Sequence, residues 1–133
     1  MCPDTKALLA YVKLELFLVD ICYYIKINPK PITAMAKKIA EQLIDTLVKS
    51  GVERIYAVTG DSLNEVNEAV RKNDQIKWIH VRHEETGAYA AAAEAQLTGR
   101  PGCCAGSSGP GHVHLINGLY DAHRSGAPVI AIA

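Results

Sequence analysis

Two short stretches of this chain carry residue types that can do chemistry. The first is Arg82-His83-Glu84-Glu85, set between an apolar run and an alanine-rich run. That setting puts Glu84 at the carboxyl end of a β-strand, the end at which open α/β sheets bind ligands. A carboxyl there can hold or share a proton if its surroundings keep water away. The second stretch is Gly106-Ser107-Ser108-Gly109-Pro110-Gly111, another strand-to-helix turn. Its glycines let a ligand approach the backbone closely. Together the two stretches describe one edge of a cofactor pocket. Each also has a plainer reading: Glu84 as a surface carboxylate capping a helix, and the glycine turn as a tight connection only.

These residues need elements to position them. Ala36, Ile39, Ala40, Leu43, Ile44, Leu47 and Val48 follow helical spacing and predict one buried stripe, ended by Gly51. Ile55 to Val58 reads as a strand covered on both faces. Thr59-Gly60-Asp61 makes the next turn. Ser62 and Glu65 fit a capping box for a helix that buries Leu63, Val66 and Val70. Ile76 to Val81 is a second strand. The helix from Glu84 to Thr98 carries Ala88, Ala90, Ala91, Ala92, Ala93 and Ala95, small enough for close packing on two sides, and Gly99 stops it. Gly102 to Ala105 is a third strand. His112 to Arg124 is a further helix, with Leu115, Ile116, Leu119 and Tyr120 expected to face inward. Pro128 to Ala133 opens a fourth strand, apolar enough to be central in a larger sheet. The alternation predicts an α/β fold: a three-layer parallel sheet, helices on both faces, with right-handed crossovers. The sheet is expected to be incomplete at its C-terminus, as in the front part of a longer protein or a truncated product.

A chain of 133 residues, 49% of them apolar, suits one packed domain at most. Its 14 basic and 14 acidic residues cancel, and no basic run stands out, so nucleic acid is not an expected partner. Cys2, Cys22, Cys103 and Cys104 make a poor disulfide framework and predict reduced thiols in an intracellular setting. Residues 1–34 differ from the rest and read as an N-terminal extension of unknown role before a domain at 35–133. Ala7 to Ile27 is apolar, but Lys13, Glu15, Asp20 and Lys26 interrupt it. That pattern suits neither a membrane span nor a secretory signal.

From Ala36 onward the chain resembles the pyrimidine-binding domain of thiamine-diphosphate enzymes, and within them the pyruvate oxidase and pyruvate dehydrogenase (quinone) group. The motifs that carry the resemblance are Val58-Thr59-Gly60-Asp61-Ser62-Leu63-Asn64, Arg82-His83-Glu84-Glu85, Gly106 to Gly111, and His114-Leu115-Ile116-Asn117-Gly118-Leu119-Tyr120-Asp121. They occur in order over about three quarters of the chain. The resemblance implies that Glu84 is the catalytic residue. It would hydrogen-bond N1′ of the aminopyrimidine and favour the imino tautomer that takes the thiazolium C2 proton. That role asks for a dry pocket and a raised carboxyl pKa.

By the same resemblance, Thr59, Gly60, Asp61, Ser107, Gly109, Pro110, Gly111 and Asn117 would line the thiamine diphosphate. For several of them other readings stay open. Asp61 could equally cap a helix. Asn117 could cross to a neighbouring domain or bond nearby backbone. Glu85 could serve the helix N-terminus. His83 is expected on the opposite side of the chain from Glu84. His112 and His114, with no third ligand at hand, are expected at solvent or interface positions, and no metal is assigned to this chain. Mg²⁺ and FAD are implied, but bound by regions absent from this chain. The implied substrate is pyruvate or another 2-keto acid. The implied partners are a second copy, as in a dimer or a dimer-built tetramer, and the diphosphate-binding domain of a partner subunit. Acetolactate synthase is the alternative enzyme, and a non-catalytic truncated domain that only associates with partner chains is the alternative of another class. The expected location is the cytoplasm, with a peripheral place at the inner membrane face left open for a full-length enzyme.

Overall fold

The computed structural model describes residues 36–133, so the reading of residues 1–34 as an extension lies outside the described residues. Helix α1 spans Ile39–Lys49 and leads into strand β1, Arg54–Ala57. A 3₁₀ turn, Asp61–Leu63, precedes α2, Asn64–Arg71, and then β2, Lys77–His80. The chain continues through α3, Glu84–Thr98, β3, Gly102–Ala105, α4, Pro110–Ser125, and β4, Val129–Ile132. All neighbouring strands are parallel, in the order β2-β1-β3-β4.

Alternation along the strands sorts the core into two layers. Ile55, Ala57, Cys103 and Ala105 pack with Ile44 and Leu47 of α1 and Ala69 and Val70 of α2. Tyr56 and Cys104 pack on the other side with Ala88 and Ala91 of α3 and Leu115 of α4. Helices therefore cover both faces, as the sequence predicts. The connection from β2 to β3 passes over β1, so the strand order reverses between β1 and β3. The crevice beyond the carboxyl ends of two such strands is where open α/β sheets accept ligands. The turns after β1 and β3 both open there.

The two helices on the second face lie close together. A Cβ added at Gly118 of α4 would come within 2.5 Å of the Ala88 Cβ and 2.9 Å of the Tyr89 backbone nitrogen. This contact corrects the inward face expected for α4. The buried residues are Gly111, Leu115, Gly118 and Ala122, while Ile116 and Tyr120 are 56% and 66% exposed. The alanine-lined surface of α3 admits the small residues of α4, which rotates Ile116 and Tyr120 outward. The first helix also differs from expectation. It begins at Ile39 rather than Ala36, and Ile39 and Leu43 of the predicted stripe are exposed. The expected capping box at Ser62 and Glu65 does not form. The residue before α2 is Leu63, whose side chain has no polar atom to cap with, and the Ser62 hydroxyl is engaged by Ser107 and Ser108.

Candidate functional site

Glu84 is the first residue of α3, and its side chain is 13% exposed. His83, in extended backbone before it, accepts the Glu85 N–H on Nδ1 at 3.3 Å and so caps the helix. Glu84 Oε2 lies 3.0 Å from His114 Nδ1, on the second turn of α4. The His83 and His114 rings stack, with centroids 4.5 Å apart and planes at 27°. A Cβ at Gly111 would sit 3.3 Å from Glu84 Oε1. One carboxylate oxygen is therefore held by His114, and the other lies over a residue without a side chain. Asn117 Nδ2 donates to Glu85 Oε1 at 3.4 Å, so within this chain its partner is a side chain rather than backbone.

Two expectations are corrected here. His83 is not opposed to Glu84, since both meet His114. The signal for this was the position of His114 one turn into a helix. Helical side chains lean toward the helix N-terminus, which returns this imidazole to the mouth of the sheet. The second correction concerns charge. Burial is the largest single influence on Glu84 and pushes its carboxyl pKa up. Its own backbone N–H and the His114 hydrogen bond, aided by the neighbouring imidazoles, pull it down and prevail. The carboxyl is thus held below its ordinary value, not above it. Dryness alone would raise the carboxyl; the backbone N–H and the histidines reverse the sign.

A second cluster joins the turns after β1 and β3. The Ser62 hydroxyl lies 3.0 Å from the Ser107 hydroxyl and accepts the Ser108 N–H at 3.0 Å. Gly60 packs so closely on Ser107 that any Cβ would collide with that side chain. Gly109 takes φ +79°, open chiefly to glycine, and hands the chain to Pro110 at the start of α4. The Gly106 to Gly111 turn thus touches both groups: Ser107 and Ser108 meet the β1 side, and Gly111 meets Glu84. Asp61 opens the 3₁₀ turn and is exposed. Thr59 lies just after β1. It lines a groove of about 670 Å³ with Asn67, Val70, Arg71, Trp78 and Ile79, and no residue of the Glu84 cluster enters that groove.

His83, Glu84 and His114 each offer one ligand atom, all within 4.8 Å of one another. Two histidines and a carboxylate are a composition that zinc accepts. Here Nδ1 of His83 is taken by the Glu85 N–H and Nδ1 of His114 by Glu84, so the trio is a hydrogen-bonded cluster. Cys103 and Cys104 are buried free thiols, and burial pushes each up to about 12. They are core residues. Among the described residues no helix is long and apolar enough to cross a membrane.

A parallel α/β sheet with a partly buried carboxylate after β2, facing the turn after β3, has the form of a ligand-binding domain. Residues 37–133 match the thiamine pyrophosphate enzyme family, N-terminal TPP binding domain, and the chain belongs to that family. It is 50% identical over 91 residues to a pyruvate oxidase of Lactiplantibacillus plantarum, covering 68% of this chain and 15% of that protein. It is 36% identical over 96 residues to acetolactate synthase 3 of Brassica napus, covering 72% of this chain and 15% of the synthase. An uncharacterized 42.6 kDa protein of Pseudomonas amyloderamosa is 58% identical over 96 residues, covering 72% of this chain and 24% of its own length. The chain thus spans less than a quarter of each of these relatives.

Proposed function

We propose that this chain is the pyrimidine-binding portion of a thiamine-diphosphate enzyme that oxidatively decarboxylates pyruvate or a related 2-keto acid. The observation that carries the proposal is the Glu84 carboxyl, mostly buried, with Oε2 tied to His114 and Oε1 left over Gly111. Oε1 is the atom free to meet a ring nitrogen. When bound, thiamine diphosphate supplies a carbon nucleophile and an electron sink for decarboxylation. This chain's part is to orient the aminopyrimidine and to hold or share its proton at Glu84. The residues fit such a ring. Gly111 leaves space beside the carboxylate, and the Ser62–Ser107 contact fixes the turn that carries Gly109 and Pro110. Gly60 packs on that turn at Ser107, with Asp61 next in the chain, and Asn117 braces the start of α3 through Glu85. Thr59 is the weakest member of the set, because it lines a different groove.

The free carboxyl is held low, whereas sharing a proton with a ring nitrogen asks for a higher value. A covering partner would supply the difference, since removing solvent pushes a carboxyl up. The outer face of α3 and α4 suits such a cover. Tyr89, Val113, Ile116 and Tyr120 are all exposed apolar or aromatic residues there. The partner in this reading is the diphosphate-binding domain of another subunit, which with the rest of the full-length protein would hold the diphosphate, Mg²⁺ and FAD. We place the protein in the cytoplasm.

The oxidase reading is preferred over acetolactate synthase by its higher identity, 50% against 36%. It is also favoured by the Glu84-Glu85 pair, since a glutamine after the catalytic Glu is more usual in synthases. The test is Glu84→Gln in a full-length enzyme carrying this domain, assayed for pyruvate turnover. Loss of most turnover is expected, and unchanged turnover refutes the assignment. The isolated chain should bind thiamine diphosphate and Mg²⁺ weakly; tight, Mg²⁺-dependent binding would contradict a site completed by another domain.

A further inference from the structure

The tie between Glu84 and His114 assigns a role to a residue that the reading above leaves without one. We propose that His114 is a positioning residue: its Nδ1–H holds Glu84 Oε2, so that Oε1 alone is presented to a ligand over Gly111. An ionised carboxylate only accepts, so a hydrogen bond at 3.0 Å requires the proton on His114 Nδ1. That choice leaves Nε2 as the bare nitrogen, the reverse of the form an unconstrained neutral imidazole favours. The stack on His83 holds the ring in plane. His83 is itself fixed, because its Nδ1 accepts the Glu85 N–H. The carboxylate is thus located by two helices at once: by its own place at the start of α3, and by an imidazole from α4.

The titratable groups around the carboxylate are His83 before α3, Glu85 on α3 and His114 on α4. The two imidazoles lower the Glu84 carboxyl, and the hydrogen bond from His114 is the largest of their contributions. A merely structural His114 would fill space without affecting either the carboxylate's proton or its own tautomer.

The experiment uses the 133-residue chain and two NMR readouts. Long-range ¹H–¹⁵N correlations above neutral pH report the His114 tautomer, and ¹³C carboxyl shifts report the Glu84 titration. The expected result is Nδ1–H at His114 and a Glu84 midpoint below the ordinary carboxylate range. His114→Leu should raise that midpoint. His114→Asn, which keeps an N–H near the Nδ1 position, should hold it low. Nε2–H at His114 in the unmodified chain overturns the proposal without recourse to any variant. So does a Glu84 midpoint that is the same with His114 and with Leu. The inference rests on the Proposed function only for its consequence at Oε1. Neither readout involves a cofactor, so failure here and failure of the Glu84→Gln turnover test are separate outcomes.

Discussion

Replacing Gly118 by alanine sets two effects of opposite sign against each other. In an exposed helix interior, Gly→Ala gains roughly 0.5–1 kcal/mol, because glycine loses more freedom on folding. At Gly118 the new methyl would lie 2.5 Å from the Ala88 Cβ and 2.9 Å from the Tyr89 nitrogen. Ordinary carbon contacts sit at about 3.5–4.0 Å, so α3 and α4 must part by roughly 1 Å. A gap of that size forfeits about a quarter to a half of each dispersion contact along the seam. Leu115 and Ala122 share this seam, and both are buried. Overpacking costs about 1–3 kcal/mol, and the upper half of that range applies because part of the obstruction is backbone. Set against the helix gain, the net loss is roughly 1–2.5 kcal/mol, by the same figures.

Thermal unfolding of the 133-residue chain, followed by circular dichroism, should then show Tm lowered by about 4–20 °C, at some 4–8 °C per kcal/mol. The companion variant is Ala88→Gly. It removes the methyl that Gly118→Ala strikes, so the double variant should be more stable than the two single losses predict. Neighbours in contact commonly couple by about 0.5–3 kcal/mol. A Gly118→Ala chain that melts higher than the parent would refute the close-packing argument. So would strict additivity with Ala88→Gly, and the packing account of the α3–α4 pair would fail with it.

Three further outcomes are expected. Ile55→Ala should lose about 2–5 kcal/mol in urea unfolding, since Ile55 is fully buried between the sheet and the first helix layer. Cys103 and Cys104 should resist iodoacetamide at pH 8 in the native chain and react in urea, as site-resolved mass spectrometry would show, because their thiols are pushed up to about 12. Glu84 is held below its ordinary value when folded, so it contributes stability above the ordinary carboxylate range that is lost as pH falls through its folded value. The gap in urea midpoint between the parent and Glu84→Gln should therefore be steady above about pH 5 and should close at lower pH.

How much of this was legible in the residues follows the range of the forces involved. β3 matches its predicted bounds because Gly102-Cys103-Cys104-Ala105 is an uninterrupted run of small buried residues, and a fully buried strand needs no partner to declare itself. α3 matches at both ends, where His83 caps the start and Gly99 takes a left-handed turn at the finish, both local signals. The inward face of α4 was missed because it is settled by another element. Hydrophobicity alone ranks Ile116 and Tyr120 above Gly118 as core. Only the alanines of α3, thirty residues away in sequence, make the small residue the better fit. The capping box failed for the same reason: Ser62 has the local pattern, but Ser107 and Ser108 compete for its hydroxyl from across the sheet.

The site divides along that line too. The placement of Glu84 could be read from sequence because it depends on one strand end and one helix start. Its protonation could not, because that depends on which side chain a second helix delivers. A dry pocket and a histidine donor push a carboxyl in opposite directions, and here the backbone N–H and the imidazoles prevail over burial. The balance need not persist under a cover. His114 is exposed on α4, the helix whose outer face also carries Val113, Ile116 and Tyr120. A partner settling on that face would dehydrate the carboxylate and the imidazole together. Desolvation disfavours the charged form of a carboxyl, so a closed site would drive Glu84 toward its neutral acid. A carboxyl that is low in the open chain and raised on closure would take up its proton only once the pocket is complete.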